Sequence, residues 1–328
     1  MINLKRLISA VVIFILFIVS SGCTAVEEHN IYVTVYPLQY VAERILKDTP
    51  VSVGIVPGVT SHSSSVDWSP KEIIAMTKAD ILFYVGANYD QYIDLQINKI
   101  FINSDVDLVK LQDYPEYIEF ILGVVHDPSE EHDHDDTTEI QSSPLGVDPH
   151  FWISPLRVKQ AASLLYLKLS EQYPDHLDTI SENYTKLDDD LQSLSDNYDT
   201  VLKAATKPTL MSTNIYGYLH ADYDFFYKSV SPGYHEEPEQ FTTQERDRIV
   251  AVALEYSIRH IIYEKNITSP LSAAVFEALA EEGVNPIKLE FDILQTLTDK
   301  DRKAGKDYIS IMNNNLDLLK QATDYPKE

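Results

Sequence analysis

The chain has 328 residues, of which 51 are Asp or Glu and only 26 are Lys or Arg, so its formal net charge is −25 at pH 7. A protein that binds nucleic acid must neutralise phosphates with clustered Lys and Arg, and this acidity excludes that class. The hydrophobic share of 44% can build a sizeable core, so we expect the acidic residues to cover a folded surface. A single Cys excludes an internal disulfide and a zinc-finger site built on Cys.

Residues 1–22 have the pattern of a signal peptide. Two basic residues precede an apolar run over residues 7–19, which is shorter than the about 20 apolar residues that span a membrane. The following Ser20-Ser21-Gly22-Cys23 resembles the lipobox of prokaryotic lipoproteins, in which the Cys is lipidated. Ser20 departs from the usual aliphatic residue, so a retained anchor helix is the alternative. In both cases we expect a tether over residues 23–30 and an extracytoplasmic protein anchored to the outer face of the cell membrane.

Strand-like and helix-like segments alternate from residue 31 onward. Predicted strands cover residues 31–35, 51–56 and 81–85, and predicted helices cover 38–46 and 70–78. Ser69 is well placed as the N-cap of the second helix. Strand–helix–strand repeats of this length favour a parallel sheet and an α/β fold.

A hydrophilic segment over residues 126–146 interrupts this alternation. It has no apolar periodicity, so it predicts a solvated loop within an N-terminal lobe that covers residues 31–175. Ser154-Pro155 then predicts the start of a helix that ends near residue 172.

Residues 176–206 predict one long helix that joins two lobes. Apolar residues recur every three or four positions along one face of this segment. A helix of thirty residues spans roughly 45 Å, enough to run the length of a body of two lobes.

The alternation resumes in a C-terminal lobe over residues 207–328. Its predicted strands are residues 209–212, 260–263 and 286–291, and its predicted helices begin near residue 215 or cover residues 243–256, 269–282 and 308–322. The whole pattern predicts an α/β protein of two lobes, each with a mostly parallel sheet flanked by helices, joined by one long rigid helix.

Histidines and a carboxylate in loops at strand ends give the strongest chemical signal. The sequence has no G-x-S-x-G, P-loop, G-x-G-x-x-G or H-E-x-x-H motif and only 10 Gly, which weakens hydrolase and nucleotide-binding interpretations. His62 follows the second predicted strand, His150 precedes the helix at Pro155, and Asp292 directly follows the strand that ends at residue 291. Open α/β sheets bind their ligands at such strand ends. Taken singly, a loop His is more often a surface residue and such an Asp is more often a cap.

Several short motifs lie along the chain. They are Tyr36-Pro37, Ser69-Pro70-Lys71-Glu72-Ile73, Asp148-Pro149-His150-Phe151-Trp152-Ile153-Ser154-Pro155, Gly217-Tyr218-Leu219, and Leu297-Thr298 followed by Gly305-Lys306-Asp307-Tyr308. The set resembles the zinc- and manganese-binding substrate-binding proteins of ATP-driven metal importers, the cluster 9 or cluster A-I family. The segment that begins at Asp148 is the most specific, and the resemblance covers essentially the whole chain after the signal peptide.

The resemblance implies one metal ion between the two lobes. It assigns His62 as the first ligand, His150 as the second and Asp292 as the fourth. An ungapped spacing places Ser64 at the first position, but His62 is the only good donor nearby. The third position is Thr213, where the family has His or Glu.

A neutral Thr hydroxyl is a poor ligand for zinc or manganese. The site therefore has three protein ligands plus water, or another residue completes it. His235 and His220 are the candidates. His235 lies on a loop and has the better reach, whereas His220 lies about two helical turns beyond Thr213 and is more typical of a packed or capping residue.

Three further histidines, His126, His132 and His134, are interleaved with carboxylates in the hydrophilic loop. Acidic His-rich loops in this interval are characteristic of the zinc-specific branch of the family. Such a loop collects zinc weakly and raises its concentration near the cleft. The alternative is a solvated acidic linker without a metal role.

The resemblance implies a binding protein and no enzyme. It predicts a monomer that captures Zn²⁺, with Mn²⁺ as the alternative, and delivers it to an importer permease driven by an ATPase. Three other interpretations stay open: a binder of a metal chelate or other small ligand on the same scaffold, a metal-dependent hydrolase, and a surface adhesin with a purely structural metal.

Overall fold

Each lobe is built around a parallel sheet of four strands in the computed structural model, which describes residues 26–59, 66–123, 146–236 and 242–325. The first sheet has the order β2-β1-β3-β4, with β1 (Ile31–Val33), β2 (Val53–Ile55), β3 (Ile81–Tyr84) and β4 (Asp107–Lys110). The second has the order β6-β5-β7-β8, with β5 (Thr209–Met211), β6 (Tyr227–Ser229), β7 (His260–Glu264) and β8 (Ile287–Phe291). These sheets confirm the predicted α/β fold of two lobes.

Helices connect the parallel strands, as parallel pairing requires. The first lobe contains α1 (Tyr36–Ile45), α2 (Pro70–Thr77), α3 (Gln91–Asp94) and, after β4, α4 (Pro155–Gln172), with a π-helix at Ile97–Phe101 and 3₁₀ turns at Leu111–Asp113, Phe151–Ile153 and Pro174–His176. After α5 (Leu177–Lys203), the second lobe contains α6 (Gly217–Tyr223), α7 (Thr243–Glu255), α8 (Pro270–Glu281), α9 (Asp299–Lys303) and α10 (Tyr308–Ala322).

The predicted N-cap of α2 is present as a capping box. Ser69 Oγ accepts the backbone N–H of Glu72 at 3.4 Å, and Glu72 Oε2 accepts the backbone N–H of Ser69 at 2.7 Å. Each bond satisfies a helix N-terminal donor that has no partner inside the helix.

The long helix α5 is shared by both lobes. Over its 27 residues, about 40 Å at 1.5 Å per residue, its buried face carries Leu187, Leu191 and Leu194. It packs against α1 and α4 of the first lobe and against α10 of the second, and Tyr198 Oη donates to the carbonyl of Met312 at 2.8 Å. One helix thus contributes to the cores of both lobes.

Three hydrogen bonds connect the lobes where β1 and β8 end. The N–H of Tyr36 donates to the carbonyl of Gln295 at 3.1 Å, and Trp152 Nε1 donates to the carbonyl of Ile293 at 2.8 Å. The fully buried Tyr308 donates from Oη to the carbonyl of Trp152 at 2.8 Å. These bonds bring loops of both sheets to the neighbourhood of His150.

The proposed signal peptide and Cys23 lie outside the described residues. Within the ranges that the structure describes, no helix combines the length and the apolar character needed to cross a membrane.

Candidate metal centre

His150 is held in one orientation by Asp148. Asp148 Oδ1 accepts the backbone N–H of His150 at 2.9 Å and lies 2.8 Å from His150 Nδ1. Both side chains are buried, with 0% of His150 and 1% of Asp148 exposed. A carboxylate that accepts Nδ1–H makes Nε2 the nitrogen with the lone pair, as in carboxylate–histidine–metal triads. The pair is therefore suited to present Nε2 of His150 to a metal ion.

The second lobe supports the Asp148 segment. Tyr218 Oη donates to the carbonyl of Asp148 at 2.7 Å. A Cβ at Gly217 would lie 3.1 Å from Asp148 Oδ2 and 3.3 Å from Ile121 Cδ1, so a larger residue at this position would press on the carboxylate. The Gly217-Tyr218 motif thus brings the start of α6 against the loop that carries His150.

Aromatic rings enclose the His150 imidazole. Trp152 and Tyr234 meet it in edge-to-face geometry, with ring centroids 5.5 Å and 5.0 Å away. Tyr89 packs in the same way on Trp152 at 5.1 Å. These rings keep water from the imidazole and strengthen electrostatic interactions there, because the local dielectric constant is low.

Thr213 and Glu264 meet at the carboxyl edge of the second sheet. Thr213 follows β5 by two residues, Glu264 ends the adjacent β7, and Thr213 Oγ1 donates a hydrogen bond to Glu264 Oε1. Only 5% of Thr213 and 7% of Glu264 are exposed. Burial raises the pKa of the Glu264 carboxyl, and the hydrogen bond from Thr213 and the nearby His150 lower it in part.

Asp292 follows β8 directly, as predicted, and its carboxylate contacts a cation of the protein. Asp292 Oδ2 lies 2.7 Å from Lys265 Nζ, and Oδ1 accepts the N–H of Leu294 at 3.1 Å. Asn315 binds the Asp292 backbone, accepting its N–H at 3.0 Å and donating to its carbonyl at 2.8 Å. In this conformation Lys265 competes with any metal for Asp292.

Several predicted site residues fall outside the described ranges: His62 of the primary site, and His126, His132 and His134 of the loop. Within those ranges, no group of three His, Cys, Asp or Glu residues is placed to hold a metal ion. The role of His62 thus stays a prediction.

The two candidate replacements for Thr213 differ in environment. His235 is exposed, and its carbonyl accepts a hydrogen bond from Ser231 Oγ at 2.9 Å. His220 Nδ1 lies 3.0 Å from the carbonyl of Phe225, where α6 ends. The contact of His220 fits the capping alternative.

Glu264 is the residue that sequence reasoning did not select. The predicted strand stopped at residue 263, so the carboxylate at its end was not included in the site. Its position at the end of an apolar strand is the same signal that selected Asp292.

Comparison with known proteins identifies a family and several relatives of this chain. The family described as ZnuA, zinc-uptake complex component A, periplasmic, matches residues 31–322. The zinc-binding lipoprotein AdcA of Streptococcus pneumoniae is 27% identical over 300 residues, which are 90% of this chain and 56% of AdcA. The chain thus spans about half the length of this relative. The high-affinity zinc uptake system protein ZnuA of Bacillus subtilis is 24% identical over 309 residues, 90% of this chain and 88% of ZnuA.

Solved structures share the fold. The Zn(II)-bound ZnuA-like domain of Streptococcus pneumoniae AdcA superimposes with a TM-score of 0.68 at 24% identity, covering 91% of this chain and 100% of that domain. The metal-dependent lipoprotein YcdH of Bacillus subtilis gives a TM-score of 0.70 at 21% identity, covering 90% of this chain and 99% of YcdH. Because the family match extends over nearly all of the described chain, this protein belongs to the ZnuA family of zinc-uptake complex components.

Proposed function

We propose that this protein captures Zn²⁺ outside the cytoplasm and delivers it to the permease of an ABC importer that is driven by an ATPase. The observation that carries the proposal is the buried Asp148–His150 pair at the junction of the two lobes, in a chain that belongs to a zinc-uptake family. One named relative is a zinc-binding lipoprotein and another is a protein of a zinc uptake system, which favours zinc over manganese.

The proposed ligands are His62, His150 and Asp292. Imidazole nitrogen and carboxylate oxygen bind zinc at about 2.0–2.2 Å, and the aspartate supplies negative charge to a divalent cation. For Asp292 to bind the metal, its carboxylate must exchange Lys265 for zinc. A site filled by protein groups binds and releases its cargo and performs no catalysis, so we infer no enzymatic activity.

We further propose that Cys23 carries a lipid anchor, that the protein acts as a monomer, and that His126, His132 and His134 collect zinc near the cleft. The domain division is proposed as a lobe over residues 31–175, a linking helix over 176–206 and a lobe over 207–328. The order of the helices and strands supports this division.

The deciding experiment is elemental analysis of the purified protein after exposure to zinc, followed by competition titration with zinc and manganese. We expect one zinc per chain, and His150→Ala is expected to weaken zinc binding by about 100-fold or more, because outer partners of ligands alone contribute about 10- to 100-fold. The matched control is His176→Ala, a partly exposed His at the start of α5.

A protein that retains no transition metal would contradict the proposal. If metal is retained only together with a chelator, the protein binds a metal chelate on the same scaffold. Deletion of residues 126–136 is expected to slow zinc capture at low concentration without changing the affinity of the primary site.

A further inference from the structure

Glu264 is a buried carboxylate that forms no ion pair with a Lys or Arg among the residues that the structure describes. Its exposed fraction is 7%, yet the adjacent Lys265 pairs with Asp292 and Asp301 instead, at 2.7 Å and 3.4 Å. The donor to its side chain is the neutral hydroxyl of Thr213. An ionised carboxylate buried with one neutral hydrogen bond is poorly compensated, and such groups are retained where they bind a cation.

A second orphaned polar group lies nearby. Tyr216 is fully buried, and its Oη has no hydrogen-bond partner in the described part of the chain. Burial raises the pKa of Tyr216, and the charge of Glu264 raises it further, so the two groups interact electrostatically. A buried hydroxyl of this kind needs a hydrogen-bond partner, which a metal-bound water at the site would supply.

Glu264 also has the position that a ligand of the cleft requires. It pairs in register with Phe291 of β8, the residue before Asp292. Thr213 lies after the neighbouring strand β5 on the other side. The end of β7 is therefore between the two positions of the second lobe to which the family pattern assigns ligands.

We propose that Glu264 supplies the metal ligand that Thr213 cannot supply. Thr213 acts as a positioning residue: its hydroxyl binds Oε1 and leaves Oε2 for the metal. The carboxylates of Glu264 and Asp292 then carry two negative charges, which balance one divalent cation. This inference rests on the proposed function, because it assigns a further residue to the same site.

The test compares zinc and cobalt binding by the wild type, Glu264→Gln and Glu290→Gln. Glu290 precedes Phe291 on β8, is exposed and pairs with Lys288, so it is the matched control. Glu264→Gln keeps the size and an acceptor for Thr213 but removes the charge. We expect it to weaken zinc binding by about tenfold or more and to change the visible spectrum of bound Co²⁺, which reports the ligand set. Glu290→Gln is expected to match the wild type.

The melting temperature of the metal-free variants separates a ligand from a structural carboxylate. Removal of a poorly compensated buried charge should leave the metal-free melting temperature of Glu264→Gln unchanged or raised, while the rise caused by zinc becomes smaller. Thr213→Val is expected to weaken zinc binding only a few-fold and to retain the Co²⁺ spectrum, since the carboxylate remains.

Wild-type zinc affinity and an unchanged Co²⁺ spectrum in Glu264→Gln would overturn this inference and leave the proposed function intact. A lower metal-free melting temperature in that variant would assign Glu264 a structural role and would overturn the inference as well. If the wild type itself binds neither zinc nor cobalt, the proposed function fails and the inference fails with it.

Discussion

Asp148 and His150 form a buried pair in which one carboxylate oxygen binds both the backbone N–H and the ring of the same histidine, at 2.9 Å and 2.8 Å. The pair is separated by one proline in sequence, so its geometry is set locally. Its burial depends on the second lobe, since Tyr218 and Tyr234 both contact it.

The first prediction concerns this pair. Asp148→Asn replaces the acceptor that fixes the ring, and we expect zinc binding about 10- to 100-fold weaker. Competition titration measures the change, with Asp189→Asn as the control because Asp189 is exposed in the middle of α5. Equal affinities for the two variants would show that the Asp148 contact does not orient a metal ligand.

The second prediction concerns the competition between Lys265 and zinc for Asp292. Lys265→Met removes the cation that lies 2.7 Å from Asp292. Zinc binding should tighten by up to about fivefold, because a partly exposed ion pair contributes about 1 kcal/mol. Asp292→Asn should weaken zinc binding. If neither substitution changes the zinc affinity, Asp292 is not a ligand.

The third prediction concerns the ion pair that fixes α4 to α6. Arg157 donates to Asp222 from Nε at 3.0 Å and from Nη2 at 2.7 Å, and the Asp222 side chain is only 3% exposed. Arg157→Met leaves this carboxylate buried without its cation and should lower the free energy of unfolding by about 3–5 kcal/mol.

Urea denaturation measures this loss. Adding Asp222→Asn to the Arg157→Met protein should restore part of it, because the unpaired charge is then gone. The control is Arg246→Met, whose partner Asp247 is 61% exposed, and it should cost no more than about 1 kcal/mol. Similar losses of unfolding free energy in Arg157→Met and Arg246→Met would contradict a special stabilising role for the buried Arg157–Asp222 pair.

The fourth prediction concerns pH. Burial raises the pKa of Asp90 from 3.8 to about 6, although hydrogen bonds from Thr34 Oγ1 and from the N–H groups of Gly86 and Val85 lower it in part. The folded protein thus keeps this proton up to about pH 6, whereas the unfolded chain releases it near pH 3.8. The stability that Asp90 contributes is complete below the lower pKa and is lost as pH rises to the higher one.

Asp90→Asn does not titrate and provides the comparison. Between pH 4 and pH 7 the stability of the wild type relative to this variant should fall by about 2 kcal/mol, because a pKa unit corresponds to about 1.4 kcal/mol and part of the effect is already lost at pH 4. Urea denaturation of both proteins at each pH measures the difference. A wild-type advantage that grows with pH would show that the folded-state pKa is lowered instead.

The sequence predicted the fold where local patterns are strong. The apolar strands at residues 81–85 and 260–263 and the periodic face of α5 are confirmed, because buried segments of parallel sheets and long amphipathic helices carry their own pattern. The strands β4 and β6 were not predicted. Each is short and contains a Lys that weakens the apolar pattern: Lys110 in β4 and Lys228 in β6.

The sequence by itself also predicted the family and selected His150 as a candidate ligand, since the Asp148–Pro155 motif is contiguous. The partnership of Thr213 with Glu264, and that of Lys265 with Asp292, required the tertiary structure. These contacts join residues 51 and 27 positions apart. Thr213 and Glu264 meet because β5 and β7 are neighbours in the sheet although β6 lies between them in the chain. Local patterns decide which residues form helices and strands, but the pairing of parallel strands decides which strand-end side chains meet.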